Sequence, residues 1–146
     1  MRNVKLVELD LVDTNAVNAM LQEYAANGEQ CKPMNFLQDT NTRLYVIMDG
    51  SLAVGMVRKT STLYRECHGK FGISVRPAER GKGYGRAAMK EAKVGWKCEP
   101  TACIDRTNVR SIRMFERAGW ERTGREFDWK NDRKAIEFAP KKQYKD

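Results

Sequence analysis

The stretch Arg80-Gly81-Lys82-Gly83-Tyr84-Gly85, set between a strand-like run and a helix-like run, limits the folds open to this chain more than any other feature. Glycine at every second position lets the backbone take positive φ and approach a ligand with no Cβ in the way. A helix start supplies unpaired N–H groups and the positive end of a dipole, so the loop-to-helix junction is suited to phosphate. Arg80, Lys82 and Arg86 add formal positive charge at the same place. The alternative, a plain tight turn, accounts poorly for three glycines flanked by three cations. The P-loop order of Gly, four residues, then Gly-Lys-Ser/Thr is absent. A dinucleotide fold is a closer rival, because Asp105 ends a strand about twenty residues further on. Arg86 stands where the third glycine of that fingerprint would fall, and the strands before the loop read as an antiparallel meander.

Around this segment the periodicities predict a mixed α/β fold in one domain, residues 1–146, with no linker or repeat. Val4 to Val12 reads as a first strand, Asp13 or Thr14 as a helix cap, and Val17, Met20, Leu21 and Tyr24 as a helical stripe that stops at Gly28. Residues 29–41 read as a polar loop. A strand over Leu44–Met48 turns at Asp49-Gly50 into a second arm from Leu52 to about Tyr64. A turn is expected at 65–69 and a strand over Lys70–Val75. Gly85–Trp96 reads as a helix with a basic stripe of Arg86, Lys90, Lys93 and Lys97. Thr101–Ile104 follows as a buried strand. Asn108–Ala118 is a helix turning Ile112 and Phe115 inward and Arg110, Arg113 and Arg117 outward, with Gly119 as its stop. Glu121–Trp129 and Lys134–Phe138 close the chain as a hairpin turning near Asn131-Asp132.

Composition narrows the partners. The 27 Lys and Arg against 19 Asp and Glu give a formal +8, which favours an anionic partner such as a phosphate-bearing cofactor. No nucleic-acid module signature accompanies that charge, which argues against DNA or RNA. Cys31, Cys67, Cys98 and Cys103 form no C-x-x-C pair, and His68 is the one histidine, so no metal set is expected. Reduced thiols suit a cytoplasmic protein. Met1 to Lys5 begins no signal-like apolar run, and no segment approaches the ~20 apolar residues of a membrane span.

The string Gly72-Ile73-Ser74-Val75-Arg76-Pro77-Ala78-Glu79-Arg80-Gly81-Lys82-Gly83-Tyr84-Gly85 resembles the acyl-CoA-binding signature of the GNAT family of N-acetyltransferases. Asn108-Val109-Arg110-Ser111 through Phe115-Glu116-Arg117-Ala118-Gly119-Trp120 resembles that family's second stretch, in which a helix runs from Asn to Gly-aromatic. The likeness spans about residues 69–125. It implies a GNAT-like fold whose fourth and fifth strands splay, acetyl-CoA as cosubstrate, and a small-molecule or peptide amine as acceptor. Main-chain groups of Ile73, Ser74 and Val75 would orient the pantetheine and thioester. Arg80, Gly81, Lys82, Gly83, Tyr84, Gly85 and Arg86 would hold the pyrophosphate. Asn108 and Ser111 would touch the pantetheine arm or the amine, and Arg113 or the basic stripe the ribose phosphate. Dimers are common among relatives, so a homodimer is compatible with the likeness.

Acetyl transfer needs a free amine, a donor for the developing oxyanion and a proton for the leaving thiolate. Many relatives have a tyrosine acid where this chain has Phe115, which cannot donate. Ser111, one turn earlier, is nearer the arm than Tyr84. His68 is the first candidate base, with Glu66 and Asp105 behind it; the competing reading of His68 is an exposed hairpin residue. Cys103 could approach the thioester but has no evident activating base. Loss of the tyrosine motivates an alternative function, an acyl-CoA-binding module without turnover.

Overall fold

The computed structural model describes residues 3–28, 42–62, 65–92, 100–129 and 133–141. In chain order these form β1 (Lys5–Glu8), a 3-10 turn (Leu9–Leu11), α1 (Thr14–Ala26), β2 (Thr42–Asp49), β3 (Leu52–Thr62) and β4 (Arg65–Val75). A second 3-10 turn (Pro77–Glu79) then leads to α2 (Tyr84–Ala92), β5 (Pro100–Asp105), α3 (Val109–Arg117), β6 (Trp120–Trp129) and β7 (Arg133–Pro140). The strands form a sheet in the order β1-β2-β3-β4-β5-β7-β6. Neighbours are antiparallel except β4 and β5, which α2 joins as a parallel crossover.

Local chemistry sets the helix ends. Asp13 caps α1 by accepting the Asn15 N–H at 3.0 Å. Gly28 leaves the helix at φ 74°, a conformation that costs glycine little. Asn108 caps α3, its Oδ1 taking the Ser111 N–H at 3.2 Å, and Gly119 ends that helix at φ 87°.

Each sheet face buries its own set. On one face Val54, Val57, Phe71 and Phe138 pack with Ala88 and Met89 of α2 and Phe115 of α3. On the other, Val17, Met20 and Tyr24 of α1 cover Val46, Ala53 and Met56. Burying one such side chain stabilises by about 1.5–3 kcal/mol, so α1 is held by its stripe more than by its propensity.

Three expectations shift. The first strand is shorter than Val4–Val12, because the chain coils through the 3-10 turn, with Val12 N–H on Leu9 O, to reach the Asp13 cap. The turn expected at 65–69 is strand instead: Gly69 pairs with Ser61 and Arg65 with Thr62 across a bulge, which keeps those main-chain groups in the ladder. His68 therefore belongs to β4 rather than to a hairpin turn. The loop at 29–41, the end of the helix beyond Ala92, and the Asn131-Asp132 turn lie outside the described residues.

Candidate active site

The segment after β4 is tied down before it reaches the glycines. Arg76 N–H donates to Val54 O at 2.8 Å, and its Nη1 to Ala53 O at 3.0 Å. Its Nε donates to Glu23 Oε2 in a largely buried ion pair, while Glu23 Oε1 takes the Ala78 N–H at 2.6 Å. One carboxylate of α1 thus holds both the end of β4 and the start of the 3-10 turn. Burial pushes that carboxyl up, but the Ala78 amide and the Arg76 and Arg80 guanidinium groups together hold it below its usual value.

A folded carboxyl below its ordinary value contributes stability at pH above the ordinary value, here 4.5, and loses it as pH falls through the folded value. Glu23→Gln is accordingly expected to cost about 1–3 kcal/mol at pH 7, since it leaves Arg76 half-answered in a partly buried site. The difference from wild type should shrink as pH drops below 4.5. Urea titrations of both proteins at pH 7 and at pH 3.5 check this; an equal difference at both pH values would contradict it.

The loop itself curls through Gly81 at φ 79° and Gly83 at φ 88°, and a Cβ at either would meet nothing within 4 Å. That combination leaves open space beside the main chain of the loop. The first helical bond of α2 runs from Ala87 N–H to Gly83 O at 3.1 Å, so the amides of Gly85 and Arg86 lie ahead of the ladder. Arg80 turns back, its Nε donating to Val75 O at 2.9 Å, and Lys82 pairs with Glu79 at 2.9 Å. Arg86 is exposed at the helix start. The missing side chain of Gly85 serves packing: the residue is buried, and a Cβ there would stand 2.2 Å from Met114 Sδ, so it admits α3 while its amide stays at the helix start. Tyr84 is buried and its hydroxyl donates to Asp49 Oδ2 at 2.5 Å, which anchors the start of α2 to the β2–β3 hairpin.

The β4–β5 ladder is short. Gly69 pairs with Pro100 and Lys70 with Thr101; after them Phe71–Val75 pair with β3 and Ala102–Asp105 with β7. A strand turns the main-chain groups of alternate residues to opposite edges. Arg76 N–H meets Val54 O, and the Ser74 carbonyl lies against Gly55, so these residues face β3. Ile73 and Val75 accordingly turn theirs to the other edge, toward β5, which is where Arg80 reaches Val75 O. Ser74 differs from them: its main chain is engaged with β3.

Ser111 is half-buried in the first turn of α3, and Arg113 is exposed on its outer face. Asn108 is the helix cap in the first instance. Phe115 is sealed among aromatic rings, 6.1 Å from Phe71, 5.0 Å from Trp120 and 6.0 Å from Phe138. Asp105 accepts the Thr107 hydroxyl at 2.7 Å and the Thr107 N–H at 2.9 Å; these bonds, with Arg133 at 3.8 Å, hold its carboxyl below the usual range. It is a turn organiser, poorly poised as a base. The side chains of Glu66 and His68 lie outside the described ones, and Cys103 is half-buried on β5. Among the described residues no cluster of His, Cys, Asp and Glu gathers as metal ligands would, and no helix is long and apolar enough to cross a membrane.

Glu23 and Asp49, which tie down the segment on either side of the glycine loop, were not evident from the sequence. Their partners stand far off in the chain: 53 residues separate Glu23 from Arg76 and 35 separate Asp49 from Tyr84. No spacing rule reports such a pair.

Solved structures share this architecture. The spermidine N-acetyltransferase of Vibrio cholerae, in complex with CoA and spermine, superposes with a TM-score of 0.71 at 14% identity, over 93% of this chain and 94% of that one. The Campylobacter jejuni N-acetyltransferase PseH in complex with acetyl coenzyme A gives 0.66 at 14% identity, over 92% and 97%. A mutant of the Vibrio cholerae enzyme gives 0.73 at 14%, over 93% and 92%. At such identities the likeness is one of fold. No curated protein matches the sequence. The model of the acetyltransferase (GNAT) family, however, matches residues 14–120, a span that takes in α1, the meander, the glycine loop and α3, and the chain belongs to that family.

Proposed function

We propose that this chain, as a single domain over residues 1–146, moves an acetyl group from acetyl-CoA directly to a primary amine in the cytoplasm. The observation that carries the reading is the edge of β4: Ile73 and Val75 turn their main-chain groups toward β5 where the ladder has ended, one short turn before a glycine loop and a helix start. The end of the ladder after Lys70 supports a splay of β4 from β5.

The residues present fit the cosubstrate. Gly81 and Gly83 shape the cradle for a diphosphate; the amides of Gly85 and Arg86 and the Arg86 charge would hold it. Arg113, exposed on α3, would meet the ribose phosphate. Bound acetyl-CoA supplies the thioester carbonyl. The Val75 N–H would steady charge on that oxygen, and Arg80, by occupying Val75 O, fixes the orientation of the peptide that follows. Holding the amine beside the acyl carbon supplies much of the acceleration by itself. Ser111, half-buried in the first turn of α3, is the proposed donor to the thiolate, and His68 the proposed base.

Purified protein with acetyl-CoA and a panel of amines is expected to release free CoA thiol above the amine-free rate for at least one acceptor. Thermal shift should rise with acetyl-CoA, by about 2.7 kcal/mol at a hundredfold excess over Kd. A shift with no thiol release for any amine favours the second reading, a binding module, for which the sealed apolar Phe115 is the supporting observation. No shift at all removes both.

A further inference from the structure

The acceptor class is written on the sheet face that α2 and α3 leave alone. Val57 belongs to the cluster under those two helices and Met56 to the cluster under α1, so Arg58, next in the strand, stands on the α1 face. Its guanidinium is laid across β4: Nη2, Nε and Cζ lie 3.2, 3.4 and 3.5 Å from the point a Gly72 Cβ would occupy. Gly72 pairs with Arg58 and lies two residues past Lys70, where the β4–β5 ladder stops. The guanidinium therefore lies over β4, on the α1 face, next to where the pairing of β4 with β5 ends.

The rest of that face agrees. Lys70 is paired with Thr101, so Thr101 and Cys103 share the Gly72 face, and Cys103 is in register with Glu137. Glu137 is buried, with Oε1 accepting from Thr123 Oγ1 at 2.8 Å. The opposite face of the same strands carries Phe71, Ile73, Ile104, Ile136 and Phe138 beneath the helices. One face of these strands thus carries apolar groups under the helices, and the other carries the Arg58 guanidinium on the β3–β4 side and the Glu137 carboxyl on β7.

We infer that the acceptor is an amine that also carries a carboxylate, with Arg58 as the residue that recognises it. A planar guanidinium matches a carboxylate with two parallel hydrogen bonds, and the Glu137 side of the face suits the amino end. A polyamine has no group for Arg58, and it would meet a protein of formal +8. This deepens the proposed acetyl transfer and rests on it.

The test compares amino acids with their own amides, and both with spermidine, by thiol release from acetyl-CoA. Amino-carboxylates are expected to exceed their amides and spermidine in kcat/KM by about 10²-fold. In Arg58→Gln that ratio should fall toward one, chiefly through KM for the carboxylate. Gly72→Ala keeps the charge but puts a methyl 3.2 Å from Nη2, and should lower the ratio partway by moving the guanidinium. The acetyl-CoA thermal shift of each variant verifies that it is folded. Preference for amides or spermidine in wild type, or an unchanged ratio in Arg58→Gln, overturns the inference and leaves acetyl transfer standing. Absence of transfer to every amine overturns both.

Discussion

Gly83→Asp is expected to abolish acetyl-CoA binding while leaving a folded protein. Gly83 sits at φ 88°, and a Cβ there would meet nothing within 4 Å, so the side chain has room and the cost to the empty protein is conformational, about 1 kcal/mol. The functional cost is larger. A carboxylate would enter the open space beside the amides ahead of Ala87, and repel at close range a diphosphate bound there as proposed. A loss of at least about 100-fold in affinity, near 3 kcal/mol, follows. Thermal shift against acetyl-CoA reads it directly. Gly83→Ala separates the two effects, since it carries the backbone strain without the charge and should retain most of the binding. Wild-type affinity in Gly83→Asp would remove the diphosphate from this loop, and the proposed function with it.

The second large effect is on the scaffold. Gly55→Ala is expected to destabilise by about 3 kcal/mol, at the upper end of overpacking costs. A Cβ at Gly55 would fall 2.2 Å from the Ser74 carbonyl oxygen and 3.0 Å from Val75 Cα, and these are main-chain atoms with no rotamer to escape into. β4 would have to draw away from β3 along the residues that precede the glycine loop. The variant should therefore also lose part of its acetyl-CoA shift, although no atom of Gly55 is proposed to touch the ligand. Urea unfolding should show a lowered midpoint at unchanged slope. A change below about 0.5 kcal/mol, the range of an ordinary surface substitution, would mean that β3 and β4 stand further apart than described.

Sequence and structure part company along one line, the distance in the chain between interacting groups. Caps and stops were legible because each is a bond within a few residues: Asp13 to Asn15, Asn108 to Ser111, and glycines at 28 and 119 with positive φ. The glycine loop was legible for the same reason, as was the inward turn of Ile112 and Phe115, which helical spacing dictates. Where the reading slipped, a partner strand decided. The segment 65–69 is polar and contains a glycine, so by itself it reads as a turn, yet β3 pairs with it and keeps it extended. That Gly85 also lacks a side chain to make room for Met114, brought in by α3, is likewise a matter of a distant partner.

What the sequence by itself determined was most of the elements and the positive-φ glycines of the loop, because hydrophobic period, capping and backbone freedom are local properties. What only the tertiary structure decided was which charges meet: Glu23 with Arg76, Tyr84 with Asp49, the Arg58 guanidinium over Gly72, and the face on which Glu137 lies. Sheet register places these groups, and register is set by the burial of two whole faces at once, a condition no short window of residues contains.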